Sequence, residues 1–425
     1  MNIVDIILKK KNGEALSKEE IEYVINGFVN GDIEDYQISA LLMAICIKGM
    51  TDTETFYLTE AMINSGEILD LSSIDGVKVD KHSTGGVGDK TTLIVLPLVA
   101  ACGVNVAKMS GRGLGNTGGT IDKLESIKGF NVNLSNDEFI NQVKNIGISL
   151  CSSNKNLAIA DKKIYAIRDV TATVDSIPLI ASSIMSKKLA SGCNKIVIDV
   201  KVGNGAFMKT MEEATKLSKL LISIGNYFNR EVMCVLSNMN EPLGNAVGNS
   251  LEVLEAIDTL KGNGPDDLTK LSLALASYMV FLSKNITIDE AMKMVSDKLI
   301  DGSAYKKFEE MVNVQQGDLN SIEISNNKIE VLSKETGFIT SIDTNRIGEL
   351  SKFLGAGREK VSDTIDHTVG MIIHKKVGDI VNVDMPLVTI YYNKEVYEIE
   401  KEVLKCFEFN TFKKDKEPLI YKIIK

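Results

Sequence analysis

The chain is poor in the features that most quickly place a protein in a class. Its six cysteines, at 46, 102, 151, 193, 234 and 406, are scattered among apolar and small residues with no C-x-x-C pair. That spacing excludes a disulfide framework and a zinc site and predicts reduced core thiols. No apolar run approaches the length of a membrane span, and the N-terminal stretch from Ile3 to Leu8 is short, broken by Asp5 and followed by its lysines. The sequence therefore reads as cytoplasmic, without a signal peptide. Low-complexity tracts are missing as well, and a formal net charge of -9 with a pI near 5.2 disfavours nucleic acid and anionic membranes as partners. Any basic site must then be a local pocket, and its target a small molecule.

Arginine is scarce, at five of the 48 basic residues. Arg168, between apolar and acidic neighbours, therefore points to a task that needs a planar fork, such as a carbonyl or imide edge.

What remains is the composition of a soluble globular protein, 44% hydrophobic and 25% charged over 425 residues, enough for two or three domains. Ser17 to Glu67 has a helical pattern, with capping boxes at Ser17 to Glu20 and Thr51 to Glu54 and with Ile21, Val24, Ile25 and Phe28 at helix spacing. Residues 1–70 are expected to form a small helical domain, joined by helices from about 156–190 that interrupt the alternation around them. Across 71–332, β-like runs (Val104 to Ala107, Ile196 to Val200, Val232 to Leu236) alternate with helical segments such as Met211 to Phe228. That predicts a mostly parallel sheet covered by helices, with ligand loops at the strand C-terminal ends. Residues 333–425 shift to short strands with glycine and charged turns, a C-terminal α/β domain. Within it Gly378 to Leu387 resembles the half-barrel repeat of lipoyl and biotinyl domains, with no lysine where a carrier needs one, which favours a structural role.

Two glycine loops carry the chemistry. Val79-Asp-Lys-His-Ser-Thr-Gly-Gly-Val-Gly-Asp89 sits between a strand and the apolar run Thr91 to Ala101, an arrangement that aims free backbone N–H groups at an anion. It misses the nucleotide P-loop, because Asp89 rather than glycine precedes Lys90-Thr91, and so favours an anion smaller than ATP. A plain connecting turn would explain the glycines but not Lys81, His82 and Ser83. The second loop, Lys108 to Glu125, contains G-x-G-x-x-G at Gly113, Gly115 and Gly118 without the ribose-binding acid of a dinucleotide fold. Its Lys108, Ser110 and Thr120 are expected to face the first loop, so that two strand ends clamp one phosphate.

A third cluster combines Tyr165 and Arg168 with Ser183 and Lys187, the last two one helical turn apart on one face. Taken singly, Ser183 and Lys187 would pass for a solvated helix face. They gain meaning only beside the phosphate loops.

The blocks Lys81 to Asp89, Ser110 to Glu125 and Arg168 to Ile180 closely resemble the thymidine and pyrimidine-nucleoside phosphorylases, and the resemblance covers essentially the whole chain. It implies the fold of the class II nucleoside phosphorylases and of anthranilate phosphoribosyltransferase. It also implies reversible phosphorolysis of a pyrimidine nucleoside to free base and pentose 1-phosphate, with inversion, by a homodimer with no organic cofactor. On the matching positions, Lys81, Ser83, Thr92, Lys108, Ser110 and Thr120 would hold phosphate. Arg168, Ser183 and Lys187 would hold the pyrimidine, with Tyr165, Leu114, Ile180 and Phe207 lining its pocket and His82 at the base O2. His82, Arg168 and Lys187 would be catalytic, a protonated His82 donating to the departing base. The domains would close over the substrates.

The resemblance further implies a monovalent cation, potassium, at Gly88, Lys90, Leu243, Ala246 and Glu255, although Lys90 replaces an expected threonine. Asn116 and Ile159 also depart from the family pattern. Lysine at 108 goes with enzymes that accept uridine as well as thymidine. Rival readings are a thymidine-restricted phosphorylase, an anthranilate-type phosphoribosyltransferase, which would need a diphosphate loop and magnesium carboxylates, and a non-catalytic nucleoside or phosphate sensor.

Overall fold

The computed structural model describes residues 1–113, 118–154, 156–358, 360 and 363–425. In chain order its N-terminal part runs α1 (Ile3–Lys11), α2 (Lys18–Asn30), α3 (Asp35–Lys48), α4 (Asp52–Asn64), β1 (Val79–Ser83), α5 (Thr91–Ala101), β2 (Val106–Ser110), α6 (Thr120–Leu124), α7 (Asn136–Ile146), β3 (Ile148–Ser152), α8 (Ile159–Asp169) and α9 (Ile177–Ala190). The middle continues with β4 (Lys195–Val202), α10 (Met211–Tyr227), β5 (Glu231–Asn238), β6 (Ala246–Val247), α11 (Asn249–Leu260), α12 (Asp266–Lys284), α13 (Ile288–Ile300) and α14 (Ser303–Val314). The last part comprises β7 (Lys328–Leu332), β8 (Gly337–Ile342), α15 (Thr344–Ser351), β9 (Gly370–Ile373), β10 (Ile380–Val381), β11 (Pro386–Tyr391), α16 (Ile399–Leu404), β12 (Phe407–Asn410) and β13 (Ile420–Ile424). Among the described residues no helix is long and apolar enough to cross a membrane.

The helical layer starts where the caps dictate. Ser17 with Glu20 and Thr51 with Glu54 form reciprocal capping boxes that fix the first turns of α2 and α4. Ile21, Val24, Ile25 and Phe28 bury one face of α2 against Leu41 and Ile45 of α3 and Leu58 and Met62 of α4. Ala160 and Ile164 of α8 and Leu179 of α9 complete that core from far along the chain. Continuing the same helix, α9 passes into a second core with β4, α10 and β5 through Met185 and Leu189, so one helix joins the helical layer to the sheet.

The sheet is built on β1, which pairs parallel to β4, and β4 to β5. The parallel pair β2–β3 lies on the other side of β1, joined to it by the Lys78–Asn105 bridge. The chain thus winds outward through β2 and β3, then returns across β1 to lay down β4 and β5. Strand order reverses between β1 and β4, and in open α/β sheets that reversal opens a crevice at the strand C-terminal ends. Behind the sheet α5 is buried on every side, as expected of a helix that is apolar all round.

Three strands depart from the expected domain limits. β7, placed by the sequence at the end of the α/β domain, pairs with β11 of the C-terminal domain. β13, expected in the C-terminal domain, returns to pair antiparallel with β5. The physical reason is the open edge of β5, whose unpaired backbone groups need a partner that nothing local in the sequence announces. β6 makes the converse exchange and pairs with β9.

Candidate active site

The crevice between β1 and β4 holds the first glycine loop. Lys81, fully buried, points its ammonium at Thr91 Oγ1 (2.6 Å) and Thr92 Oγ1 (3.5 Å). Ser83 Oγ donates to Asp89 Oδ2 (2.5 Å), and the Thr91 N–H and hydroxyl donate to Asp89 Oδ1 (3.1 and 2.6 Å). Burial works to raise the Asp89 pKa, but the ammoniums of Lys201 and Lys81 and these hydrogen bonds outweigh it and hold the carboxylate well below its usual range. Asp89 therefore gathers Ser83, which the sequence assigns to phosphate, together with Thr91, which it does not. Across the crevice, Lys201 pairs with Asp199 at 2.6 Å and lies 4.0 Å from Asp89, while Ser237 Oγ caps Asp199 Oδ1 at 2.5 Å. Asp199 and Lys201 were missed at the sequence level. Their signal was two charges at alternate positions inside the apolar run Lys195 to Val202.

His82 closes the top of β1. Its imidazole is held well below the ordinary histidine range, first by burial and then by the ammoniums of Lys188, Lys108, Lys187 and Lys81, which disfavour a further positive charge. By accessible surface its residue is only half-buried, and the four nearby cations carry the direction of the shift whatever the solvent contact. Both effects favour the neutral ring, with one N–H to donate.

Beneath it, Asp80 serves two lysines. Lys188 on α9 reaches Asp80 Oδ2 at 2.5 Å, and Lys108 at the end of β2 lies 3.5 Å from Oδ1. Lys188 holds the carboxylate and its pKa is raised, whereas Lys108, buried and crowded by that ammonium, drops to about 7. Lys188 also donates to the Met109 carbonyl, tying α9 to β1 and β2 at once.

On α8 and α9, Lys187 donates to Ser183 Oγ (3.1 Å) and Asp161 Oδ2 (2.7 Å), and its side chain remains 37% exposed. Tyr165 lies between the two cations, its ring centre 5.6 Å from the Arg168 guanidinium and 5.8 Å from the Lys187 ammonium. Arg168 itself is 1% exposed and donates to the carbonyls of Thr173, Val174 and Leu179. Three of its five donors hold the turn into α9, which leaves two for a ligand. Ile180 is half-buried on α9, and Phe207, 43% exposed, follows Ala206, whose bridge to Gly86 sets this loop against the first glycine loop. Consecutive residues of α9 serve both places, Lys187 in the third cluster and Lys188 on Asp80 of β1, so one helix joins the third cluster to the β1 end.

In the second glycine loop Ser110 ends β2 and Thr120 opens α6, while Leu114 and Asn116 lie outside the described residues. A Cβ at Gly119 would come within 2.0 Å of the Gly113 nitrogen, so only glycine permits this crossing. Asp122 accepts the Gly113 N–H at 2.6 Å and pairs with Arg358 at 2.8 Å, a brace from the C-terminal domain that sequence reasoning did not foresee.

The residues expected around a monovalent cation converge, but on a side chain. Lys90 Nζ lies 2.9 Å from the Leu243 carbonyl, 2.8 Å from the Ala246 carbonyl and 2.5 Å from Glu255 Oε2. Gly88 (φ 74°) presses on the same carbonyls, where a Cβ would meet the Leu243 oxygen at 2.7 Å. This donor set already holds a positive charge and does not fit a metal ion beside it.

A doubly wound sheet with a basic crevice at its reversal point, faced by a helical layer bearing Ser183 and Lys187, suits an enzyme that transfers a glycosyl group to a small anion. The family models agree: residues 4–66 match the helical bundle domain of a glycosyl transferase family, 75–305 its α/β domain, and 338–410 the pyrimidine nucleoside phosphorylase C-terminal domain. The chain is 51% identical to a pyrimidine-nucleoside phosphorylase of Staphylococcus haemolyticus over 100% of both chains. It is 52% identical to those of Geobacillus stearothermophilus (95% of each chain) and Bacillus subtilis (96% of this chain, 95% of the other). It belongs to the pyrimidine-nucleoside phosphorylase family. Anthranilate phosphoribosyltransferase from Thermus thermophilus shares the fold at a TM-score of 0.59 and 18% identity, over 73% of this chain and 99% of its own.

Proposed function

We propose that the chain catalyses reversible phosphorolysis of pyrimidine nucleosides, with uridine, thymidine and deoxyuridine as substrates and free base and (2-deoxy)ribose 1-phosphate as products. The observation that carries this reading is the placement of Lys81, Lys108, Lys188 and Lys201, with the Ser83, Thr91 and Thr92 hydroxyls, around Asp80 and Asp89 along β1 and its following loop. Cationic and hydroxyl donors gathered at one strand end are what a phosphate dianion would engage. Glycosidic cleavage develops positive charge on the sugar and negative charge on the base. Phosphate on the Lys81, Ser83 and Thr92 side meets the first, attacking C1′ from the face opposite the base with inversion. Lys187, Ser183 and the two spare donors of Arg168 meet the second. The dianion also offsets the lysines around His82, so its binding favours the imidazolium and primes a proton donor at the base.

Val4 and Leu8 of α1 and Tyr36, Met43 and Ile47 of α3 are exposed apolar residues on two helices in mutual contact. Such a patch supports a homodimer built on the helical layer. Sedimentation velocity of the Ile47→Glu variant tests it, a shift to monomer being expected.

The decisive assay is ultraviolet detection of free base from uridine, thymidine and cytidine, each with and without inorganic phosphate. Phosphate-dependent release from uridine and thymidine is expected, because lysine stands at 108. Release from thymidine alone would reduce the reading to a thymidine-restricted enzyme. No release from any nucleoside would overturn it and bring forward the transferase or sensor readings. Scattering that shows no compaction with phosphate and a nucleoside analogue together would refute domain closure.

A further inference from the structure

We propose that Lys90 is a built-in replacement for a monovalent cation, so that this chain works and stays folded without potassium. The inference deepens the phosphate-loop reading, but its structural half is independent of the reaction. An ammonium has three N–H donors, and Lys90 Nζ has three acceptors: the carbonyls of Leu243 (2.9 Å) and Ala246 (2.8 Å) and Glu255 Oε2 (2.5 Å). Two backbone carbonyls and a carboxylate are oxygen ligands of the kind that replace the hydration shell of a potassium ion. Here a charge of the same sign and size satisfies the two carbonyls at ordinary N–H···O spacing and the carboxylate at a shorter one.

The side chain is wholly buried, and Glu255 is 11% exposed and also accepts the N–H groups of Asn245 and Ala246. A metal ion in this shell would have to expel the ammonium into a space where Gly244 and Gly88 already press on the same atoms. A Cβ on Gly244 would lie 3.0 Å from Nζ, and one on Gly88 3.2 Å from the Ala246 oxygen.

The consequence reaches the site through sequence adjacency. Lys90 is the N-cap of α5, between Asp89, which gathers Ser83 and Thr91, and the Thr91 and Thr92 hydroxyls near Lys81. Tethering Nζ to the 243–246 segment therefore fixes the register of the phosphate loop. That segment runs into β6, which pairs with β9, so the same tether links the loop to the C-terminal domain. In a chain with a short residue at 90, an exchangeable ion would have to make that link. Here it is covalently attached and cannot dissociate.

The test measures thermal midpoint and phosphate KM for the full chain in potassium, sodium and choline chloride at matched ionic strength. For the wild type both quantities are expected to agree within about twofold in KM and about 1 °C between potassium and choline. Lys90→Thr leaves Glu255 without its cation, so its midpoint in choline should fall by roughly 5 °C or more, with a raised phosphate KM. Potassium should restore both in this variant, more than sodium does. A wild type that loses midpoint or phosphate affinity in choline and regains it with potassium overturns the proposal, as does a Lys90→Thr variant that matches wild type in choline. If the variant does not fold, the wild-type comparison alone still decides. If the chain turned out not to be a phosphorylase, the thermal midpoints would still read the tether.

Discussion

Lys108 offers a quantitative test of the idea that the lysines at the β1 end are arranged for phosphate. Its pKa is lowered to about 7, first by burial, with Asp80 opposing and Lys188 adding to the drop. At pH 8.5 Lys108 is then almost wholly neutral, while inorganic phosphate is almost wholly the dianion. A dianion even 8 Å away contributes about 4 kcal/mol at an effective dielectric of 20. At about 1.36 kcal/mol for each tenfold in acidity, that is enough to carry the lysine well above pH 8.5. Phosphate binding should therefore take up about one proton at pH 8.5. Calorimetric titrations in two buffers of different ionisation enthalpy measure that number directly. Linkage requires the phosphate Kd to weaken by roughly tenfold between pH 8 and pH 9. Lys108→Met should abolish the uptake and flatten this pH dependence, while weakening binding at pH 7. Binding without proton uptake in the wild type, or uptake that persists unchanged in Lys108→Met, would refute the reasoning. The same titration on His82→Ala separates uptake at the imidazole from uptake at Lys108.

The same lysine has a stability consequence of definite sign. Its folded pKa lies below its unfolded value, so the penalty is complete below about 7 and fades as pH rises toward 10.5; Lys108→Met should melt above wild type at pH 6, with the gap closing by pH 10 in thermal scans. Asp80→Asn removes the carboxylate that two buried lysines share and should cost about 3–5 kcal/mol in urea unfolding; Lys188→Met should cost less, because Lys108 remains within 3.5 Å of Asp80. Arg168→Lys cannot reproduce a planar fork on three carbonyls and should lose roughly 2–4 kcal/mol of stability, together with a larger fall in kcat/KM than in phosphate affinity. His82→Ala should keep phosphate binding in calorimetry and lose on the order of 10²- to 10³-fold in kcat. Unchanged turnover in that variant would remove His82 from the chemistry.

What the sequence made legible follows the range of the forces involved. Caps act over three residues, so Ser17 with Glu20 and Thr51 with Glu54 announce α2 and α4 unaided. Periodicity acts over a turn or two, which is why α5, β4 and α10 fall where the apolar runs place them. The anion loop was legible because its strand, glycines and helix start are contiguous. Interactions between distant segments were not: the Lys90 ammonium meets the Leu243 carbonyl 153 residues on, and Lys188 meets Asp80 across 108. At 90 the departure from threonine was noticed, but not the three acceptors that the ammonium meets. Asp89 shows the same limit within a single loop, since sequence alone presented it as the residue that spoils a P-loop. In the fold it is the ionised group that holds Ser83 and Thr91 between Lys81 and Lys201, so an incoming phosphate must compete with Asp89 for Ser83. That competition gives Asp89→Asn a definite effect. With one oxygen replaced by an amide donor, the carboxylate repulsion toward phosphate goes, but Lys201 loses a counter-charge and the Ser83 hydroxyl loses its acceptor. If repulsion dominates, phosphate KM falls; if Asp89 instead arranges the loop, KM rises and the thermal midpoint drops with it. The three hydrogen bonds that Asp89 accepts from Ser83 and Thr91 favour the second outcome, and its lowered pKa has the same sign.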